Sequence, residues 1–324
     1  MMKNIAIVAG GDSSEYVVSV KSAAAVAEAL MGSYNTRMVM VRGSNWYSED
    51  GKGRVYRIDK NDFTLVTDEG KERFDAVFIA IHGSPGENGL LQGYFDMLGI
   101  PYSTCGAFVS ALTFSKQACK AYLAQFGIAM AEAVIVRKGE VVNAAAILER
   151  TGLPCFVKPD DSGSSFGVTK VKNGNDLIPA LETAFGESST AVVEAEMKGR
   201  EVACGVVKTR AGMIVFPVTE IISRNEFFDF EAKYTPGMSD EITPAALPAD
   251  VTAKIQKLTS EIYDHLGCRG IVRVDFIIVG DTPWFLEINT VPGMTPESIL
   301  PRQAAAYGIS PTDLYSMVIE DILA

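Results

Sequence analysis

The stretch RVDFIIVGDTPWFLEIN, residues 273–289, constrains the fold of this chain more than any other. Side chains on a strand alternate between faces, so residues two apart share one. Arg273 and Asp275 therefore face together, as do Glu287 and Asn289 after a turn at Gly280–Asp281. If the two strands pair as a hairpin, Asp275, Glu287 and Asn289 converge on one face. Val274, Phe276, Leu286 and Ile288 then make a dry face on the other. A salt-bridged surface hairpin accounts for the charges, but not for their confinement to one side of such apolar strands. Two carboxylates and an amide oxygen are hard ligands suited to Mg2+, which keeps some of its waters and bridges substrate phosphates.

At 324 residues the chain has room for two or three domains. Hydrophobic residues make up 48% and charged ones 21%, the balance of a soluble globular protein. No apolar run approaches the roughly 18 residues that span a bilayer. The opening MMKNIAIVAGGDSSE has one early lysine and a short apolar run that soon meets Asp12 and Glu15. It reads as the first strand of a cytosolic protein, not as a signal peptide. A net charge of −11 argues against nucleic acid as a partner. The five cysteines (Cys105, Cys119, Cys155, Cys204, Cys268) are scattered and form no CxxC, so neither a disulfide framework nor a zinc site is expected. With only His82 and His265, imidazole-rich metal sites are nearly excluded.

Three zones follow one another. Apolar runs at 4–9, 36–41 and 74–83, alternating with helix-like stretches, predict a parallel sheet flanked by helices. This zone closes near GIPYSTCG at 99–106. The second zone has helical patterns at 107–126, then alternating strands and helices up to TAVVEAEM. The third opens on EVACGVVKTRAGMIVFPVTEI, a hairpin signal with its turn at Ala211–Gly212. The polar, aromatic connection that follows, 224–243, has no clean period and reads as a lid. A helix at 250–266, the hairpin and two helices close the chain.

Two further loops carry chemical groups. In VKPDDSGSSFGV, Lys158 ends a strand and Ser162-Gly163-Ser164-Ser165 follows. Such a turn can aim several N–H groups at one anion, with a lysine charge beside it. It fits neither GxxxxGK[ST] nor GxGxxG, and taken alone a plain Gly/Ser hairpin is an equal reading. In DFEAKYTPG, Lys233 and Tyr234 stand where a closing lid could deliver them to a substrate; a solvated loop charge is the plainer reading of Lys233.

Taken together, these stretches resemble the ATP-grasp superfamily, specifically the D-alanine–D-alanine ligases. The resemblance covers essentially the whole chain. It rests on GGDSSE, HG..GENG..QG around His82–Gly93, KP...GSSFGV, EAKY, and RVDF…LEINTVPGMT..S in that order. It implies an α/β and α+β protein with the ATP-grasp fold. An N-terminal parallel α/β domain (1–104) precedes two ATP-clamping α+β subdomains, 105–198 and 199–324, the latter with the lid 224–243.

By the same resemblance, Glu15 and His82 hold the first D-alanine. Lys116 and Lys158 contact ATP phosphates and Lys233 reaches the γ-phosphate, with Ser165 in the phosphate loop. Glu194 meets the adenine amino group, Met197 flanks the adenine, and Glu201 meets the ribose. Asp275, Glu287 and Asn289 hold two Mg2+ (or Mn2+) ions. Arg273 and the Gly293 N–H form the oxyanion site, and Ser298 with Ile299 receives the second D-alanine. Tyr234, linked through Ser164 to Glu15, marks an amine rather than a hydroxyl nucleophile. The implied activity is ATP-dependent formation of D-alanyl-D-alanine through D-alanyl phosphate, for peptidoglycan precursors, by a cytoplasmic homodimer that engages neither nucleic acid nor membrane.

The chain departs from the family pattern at Asp160-Asp161 beside the phosphate loop, at Ser84-Pro85, and at Glu297 before Ser298. Three rival readings remain: another ATP-grasp carboxylate–amine or D-alanine–D-lactate ligase, a nucleotide-dependent oxidoreductase, and a non-catalytic nucleotide-binding protein. The oxidoreductase lacks GxGxxG. The non-catalytic reading leaves Arg273 and the paired carboxylates without a purpose.

Overall fold

A computed structural model of the protein describes residues 2–224, 235 and 237–324. The first apolar run forms β1 (Asn4–Gly10), in which Ile5 to Ala9 are completely buried, as a strand covered on both faces must be. Helix α1 (Tyr16–Ala29) leads to β2 (Asn35–Arg42), which pairs parallel with β1. The expected strand–helix alternation then lapses. Strands β3 (Asn45–Glu49), β4 (Val55–Asp59), β5 (Thr64–Thr67) and β6 (Gly70–Glu72) run as an antiparallel meander. Their connecting turns are too short for the crossover of about a dozen residues that parallel strands require. Strand β7 (Ala76–Ile79) returns to the far side of β1 in parallel, completing a seven-stranded sheet ordered β6-β5-β4-β3-β2-β1-β7. Glu15 and His82 lie just beyond the carboxyl ends of β1 and β7, where open α/β sheets bind ligands.

Helices α2 (Leu90–Leu98), α3 (Ala107–Phe114) and α4 (Lys116–Ala124) follow. Ser115 separates the last two and caps α4 by accepting the Ala118 N–H. Next come β8 (Ala133–Arg137), α5 (Ala144–Thr151), β9 (Cys155–Pro159), β10 (Thr169–Val171), α6 (Leu177–Ala184) and β11 (Thr190–Ala195). Their four strands form an antiparallel sheet ordered β10-β9-β11-β8.

A third sheet holds β12 (Arg200–Thr209), β13 (Gly212–Val215), β14 (Thr219–Ser223) and β15 (Ser239–Ile242). The β12–β13 loop is Arg210–Ala211, one residue earlier than expected. Helix α7 (Ala249–Leu266) covers this sheet through Val251, Ile255, Ile262 and Tyr263. Strands β16 (Gly270–Val279) and β17 (Thr282–Asn289) complete it, turning at Gly280–Asp281 as predicted. Helices α8 (Ile299–Tyr307) and α9 (Pro311–Leu323) end the chain. Leu314, Tyr315, Val318 and Ile319 of α9 pack among Ile5, Ile7 and Phe78, so the last helix shares its core with the first sheet. Among the described residues no helix is long and apolar enough to cross a membrane.

Candidate functional site

Strand pairing sets Asp275 directly opposite Glu287, and Arg273 opposite Asn289. A bulge at Asp275/Phe276 shifts the register, so Phe276 pairs with Phe285 and Leu286 has no opposite number. Such an extra residue breaks the period-two alternation and re-aims its neighbours. Phe285 remains in the core, as does Ile288, which also reaches the larger of two cavities, while Leu286 and Glu287, though adjacent, both line the smaller one. Leu286 therefore leaves the dry face assigned to it from the sequence.

Two cavities, of about 730 and about 480 Å3, meet at this hairpin. Lys116, Ser162, Gly163, Ser164 and Glu287 line both. The late hairpin and the Gly/Ser turn thus face a common space.

The smaller cavity has apolar walls from Phe156, Val168, Met197, Ile277 and Leu286, with Lys158, Ser165, Glu194 and Glu201 among them. Glu194, only 1% exposed, is held by two lysines: Lys158 at 2.7 Å and Lys120 at its other oxygen. Burial pushes the Glu194 carboxyl up, but the two ammonium groups override it and hold it at about 2. Lys120 is itself buried, and that burial lowers its pKa against the pull of Glu194. The backbone of Ser164 and Ser165 is left-handed, with φ of 48° and 60°, an unfavourable conformation for serine of the kind found in ligand clamps. Asp160 is occupied elsewhere: its carboxylate accepts the Ser115 hydroxyl at 2.6 Å and the Gln117 N–H at 2.7 Å, capping α4. Neither Asp160 nor Asp161 lines either of these two cavities.

The larger cavity gathers Glu15, His82, Arg273, Gly293, Ser298 and Ile299. The Ser164 hydroxyl donates to Glu15, and two of the three Arg273 guanidinium nitrogens, Nε and Nη2, donate to Asp275 at 2.8 Å. His82 has protein partners at both ring nitrogens, Ser22 Oγ at 2.9 Å and Val291 O at 2.8 Å. Ser298 precedes α8, with its hydroxyl 2.8 Å from that of Thr295. Glu297 is exposed and also lines this cavity. Lys233 and Tyr234, and most of the lid, lie outside the described residues.

At Gly163 a Cβ would come within 2.3 Å of Glu15 Oε2. Gly163→Ala is therefore expected to displace the Glu15 carboxylate and cut kcat/KM about 10²-fold, the cost of a misplacement near 1 Å. Thermal unfolding should stay within a few degrees of wild type. Unchanged kinetics would show that the close approach is dispensable.

Among the described residues no three His, Cys, Asp or Glu side chains form a self-sufficient metal cage. A cation that shares its coordination with substrate phosphates needs only one or two carboxylates. Asp275 and Glu287 supply these in register, and Asn289, whose Nδ2 donates to Asp275 at 3.0 Å, adds an amide oxygen to the same cluster. The donor set fits Mg2+. Sequence reasoning assigned no role to Lys120, Ser22 or Glu87. Lys120 stands four residues after Lys116 on α4, a same-face spacing that could have flagged it. Glu87 sits within GENG, a segment noted only as part of a pattern.

A family model described as the D-ala D-ala ligase N-terminus matches residues 4–105, and one for the C-terminus matches residues 122–320. The chain belongs to the D-alanine–D-alanine ligase family. This ligase is 50% identical over 323 residues to the D-alanine–D-alanine ligase of Phocaeicola vulgatus, covering 99% of both chains. Its fold superposes on the VanG D-Ala:D-Ser ligase of Enterococcus faecalis with a TM-score of 0.87 at 31% identity, over 100% of both chains. It also superposes on a Bacillus anthracis D-alanine–D-alanine ligase complexed with ATP, with a TM-score of 0.80 at 30% identity, over 100% of this chain and 97% of that one.

Proposed function

We propose that this ligase joins two D-alanines at the expense of ATP, within the paired cavities, to supply a peptidoglycan precursor. One observation carries the reading: Glu287 and the Ser162–Ser164 turn line both cavities at their junction. A phosphoryl group must cross that point if ATP fills the smaller space and the amino acids the larger. The adenine lies between the apolar walls with its amino group toward Glu194 and Met197 beside it, the ribose hydroxyls toward Glu201, and the phosphates toward Lys116, Lys158 and Ser165. Lys233 joins them by sequence resemblance alone.

The first D-alanine binds with its ammonium toward Glu15 and against the wall that contains His82. Its carboxylate attacks the γ-phosphorus, ADP departs, and D-alanyl phosphate remains. Asp275, Glu287 and Asn289 would hold two Mg2+ ions. When bound, these would neutralise charge on the phosphate oxygens. The second D-alanine enters with its carboxylate at Ser298 and the Ile299 end of α8. Its deprotonated amine attacks the acyl carbon, and Arg273 with the Gly293 N–H receives the oxyanion. Collapse of that intermediate expels phosphate and leaves the peptide bond. Residues 1–104, 105–198 and 199–324 act as the three domains, in a cytoplasmic homodimer.

The test is product analysis with ATP and D-alanine, alone or against L-alanine, D-serine and D-lactate. ADP, phosphate and D-alanyl-D-alanine should form in equal amounts, with little depsipeptide near neutral pH. Dominant D-alanyl-D-lactate or D-alanyl-D-serine would reassign the second substrate. ATP turnover indifferent to D-alanine would remove the reading.

A further inference from the structure

The turn between β17 and α8, Val291-Pro292-Gly293-Met294, belongs to no helix or strand, yet Val291 and Met294 are 2% and 4% exposed. Buried backbone polar groups must find partners, and here side chains provide all four that flank Pro292-Gly293. The Val291 N–H donates to Glu87 Oε1 at 3.2 Å, and the Val291 carbonyl meets His82 Nδ1 at 2.8 Å. The Met294 N–H donates to Ser22 Oγ at 3.3 Å, and the Met294 carbonyl accepts from the Tyr315 hydroxyl at 2.9 Å. A carbonyl can only accept, so His82 carries its proton on Nδ1. Nε2 is then an acceptor, 2.9 Å from Ser22, whose hydroxyl donates to it while accepting from Met294. Burial lowers the His82 pKa and favours this neutral ring. Glu87 reaches both ways, its second oxygen accepting the Gly83 N–H at 2.7 Å. Pro292 has no N–H. Gly293 alone within the turn keeps an N–H with no partner among the described residues, and it lines the larger cavity.

We infer that Glu87, together with Ser22 and His82, is a positioning residue for amide-bond formation: it fixes the main chain on either side of Gly293 and so aims that N–H at the acyl carbon's developing oxyanion. This rests on the reading of Arg273 and Gly293 as the oxyanion site. The three side chains come from α1 and from the loop after β7, so the first sheet's end of the cavity sets a donor located beyond the third sheet. The arrangement gives His82 a task other than direct contact with substrate. With both ring nitrogens engaged, it acts on the reaction through Val291.

The two chemical steps can be measured separately, because hydroxylamine displaces phosphate from D-alanyl phosphate and traps it as the hydroxamate. In Glu87→Gln one of the two accepting oxygens becomes an NH2 facing an N–H donor. In Ser22→Ala the Met294 N–H loses its acceptor. Each variant should form ADP, scored with the hydroxamate, within about threefold of wild type. Dipeptide formation should fall on the order of 10²-fold, as expected for a misaimed group. The ratio of hydroxamate to dipeptide would rise accordingly, and that ratio does not depend on how much of the enzyme is folded. KM for ATP should be unchanged. Equal loss of both steps, a raised KM for D-alanine at unchanged kcat, or wild-type behaviour in both variants would each overturn the proposal. Arg273→Met separates the levels. If it raises the ratio and Glu87→Gln does not, the positioning role alone fails. If Arg273→Met leaves the ratio unchanged, the oxyanion reading fails and the positioning role with it.

Discussion

Arg273→Met is expected to lose about 10²–10³ in kcat, the usual cost of removing one oxyanion donor, the role proposed for it above, and to lose stability as well. Arg273 has a side chain 16% exposed, and it grips both oxygens of Asp275, whose side chain is 6% exposed. Burial works against the guanidinium's charge, but Asp275 more than restores it, so its pKa ends above the ordinary value. Removing the arginine leaves Asp275 with the Asn289 amide as its remaining partner among the hydrogen bonds seen here. Breaking a buried pair from one side costs about 3–5 kcal/mol, because the other charge is left uncompensated. Chemical denaturation should therefore show a lower midpoint alongside the kinetic loss. Arg273→Lys restores charge without the planar two-pronged grip, and should recover more stability than activity. A Met variant that unfolds at the wild-type midpoint would show that Asp275 is satisfied by other means.

The period-two pattern of Arg273–Asn289 revealed which side chains meet, since cross-strand pairing follows from alternation and from a two-residue turn. It could not reveal the bulge. A bulge leaves no mark on composition, and it decides that Leu286 joins Glu287 at the cavity wall. The meander β3–β6 was hidden for another reason. Its strands are short and mostly exposed or half-exposed, so they lack the continuous apolar runs that made β1 and β7 visible. Asp160 looked like a charge set against the phosphates until its partners at the start of α4, Gln117 and the capping Ser115, were seen, 43 and 45 residues earlier in the chain. Glu87 and Ser22 act on the backbone of residues more than 200 positions away, and no local pattern records such a partner.

Lys120→Met should produce the second large effect, at the opposite end of the site. Glu194 is nearly inaccessible and relies on Lys120 and Lys158 together. If triphosphate draws Lys158 toward its own charge, as the proposed placement of ATP requires, Lys120 is the counter-ion left to Glu194. Without it a buried carboxylate is half compensated, and the fold should lose about 3–5 kcal/mol. The apparent KM for ATP should rise roughly tenfold or more, since a hydrogen bond to a charged group contributes about 1.5–3 kcal/mol, while KM for D-alanine stays put. Acid unfolding gives an independent readout. In the wild type the Glu194 pKa lies at about 2, below the ordinary 4.5. Its ionised form therefore supports the fold fully above pH 4.5, and that support fades as pH falls through 2. Losing Lys120 raises the folded-state value, so the acid transition should move to higher pH. Adding Glu194→Gln to Lys120→Met removes the stranded charge and should recover most of the stability but not the ATP affinity. If the single variant matches wild type in both denaturant and acid, Lys120 is no part of what keeps Glu194 ionised.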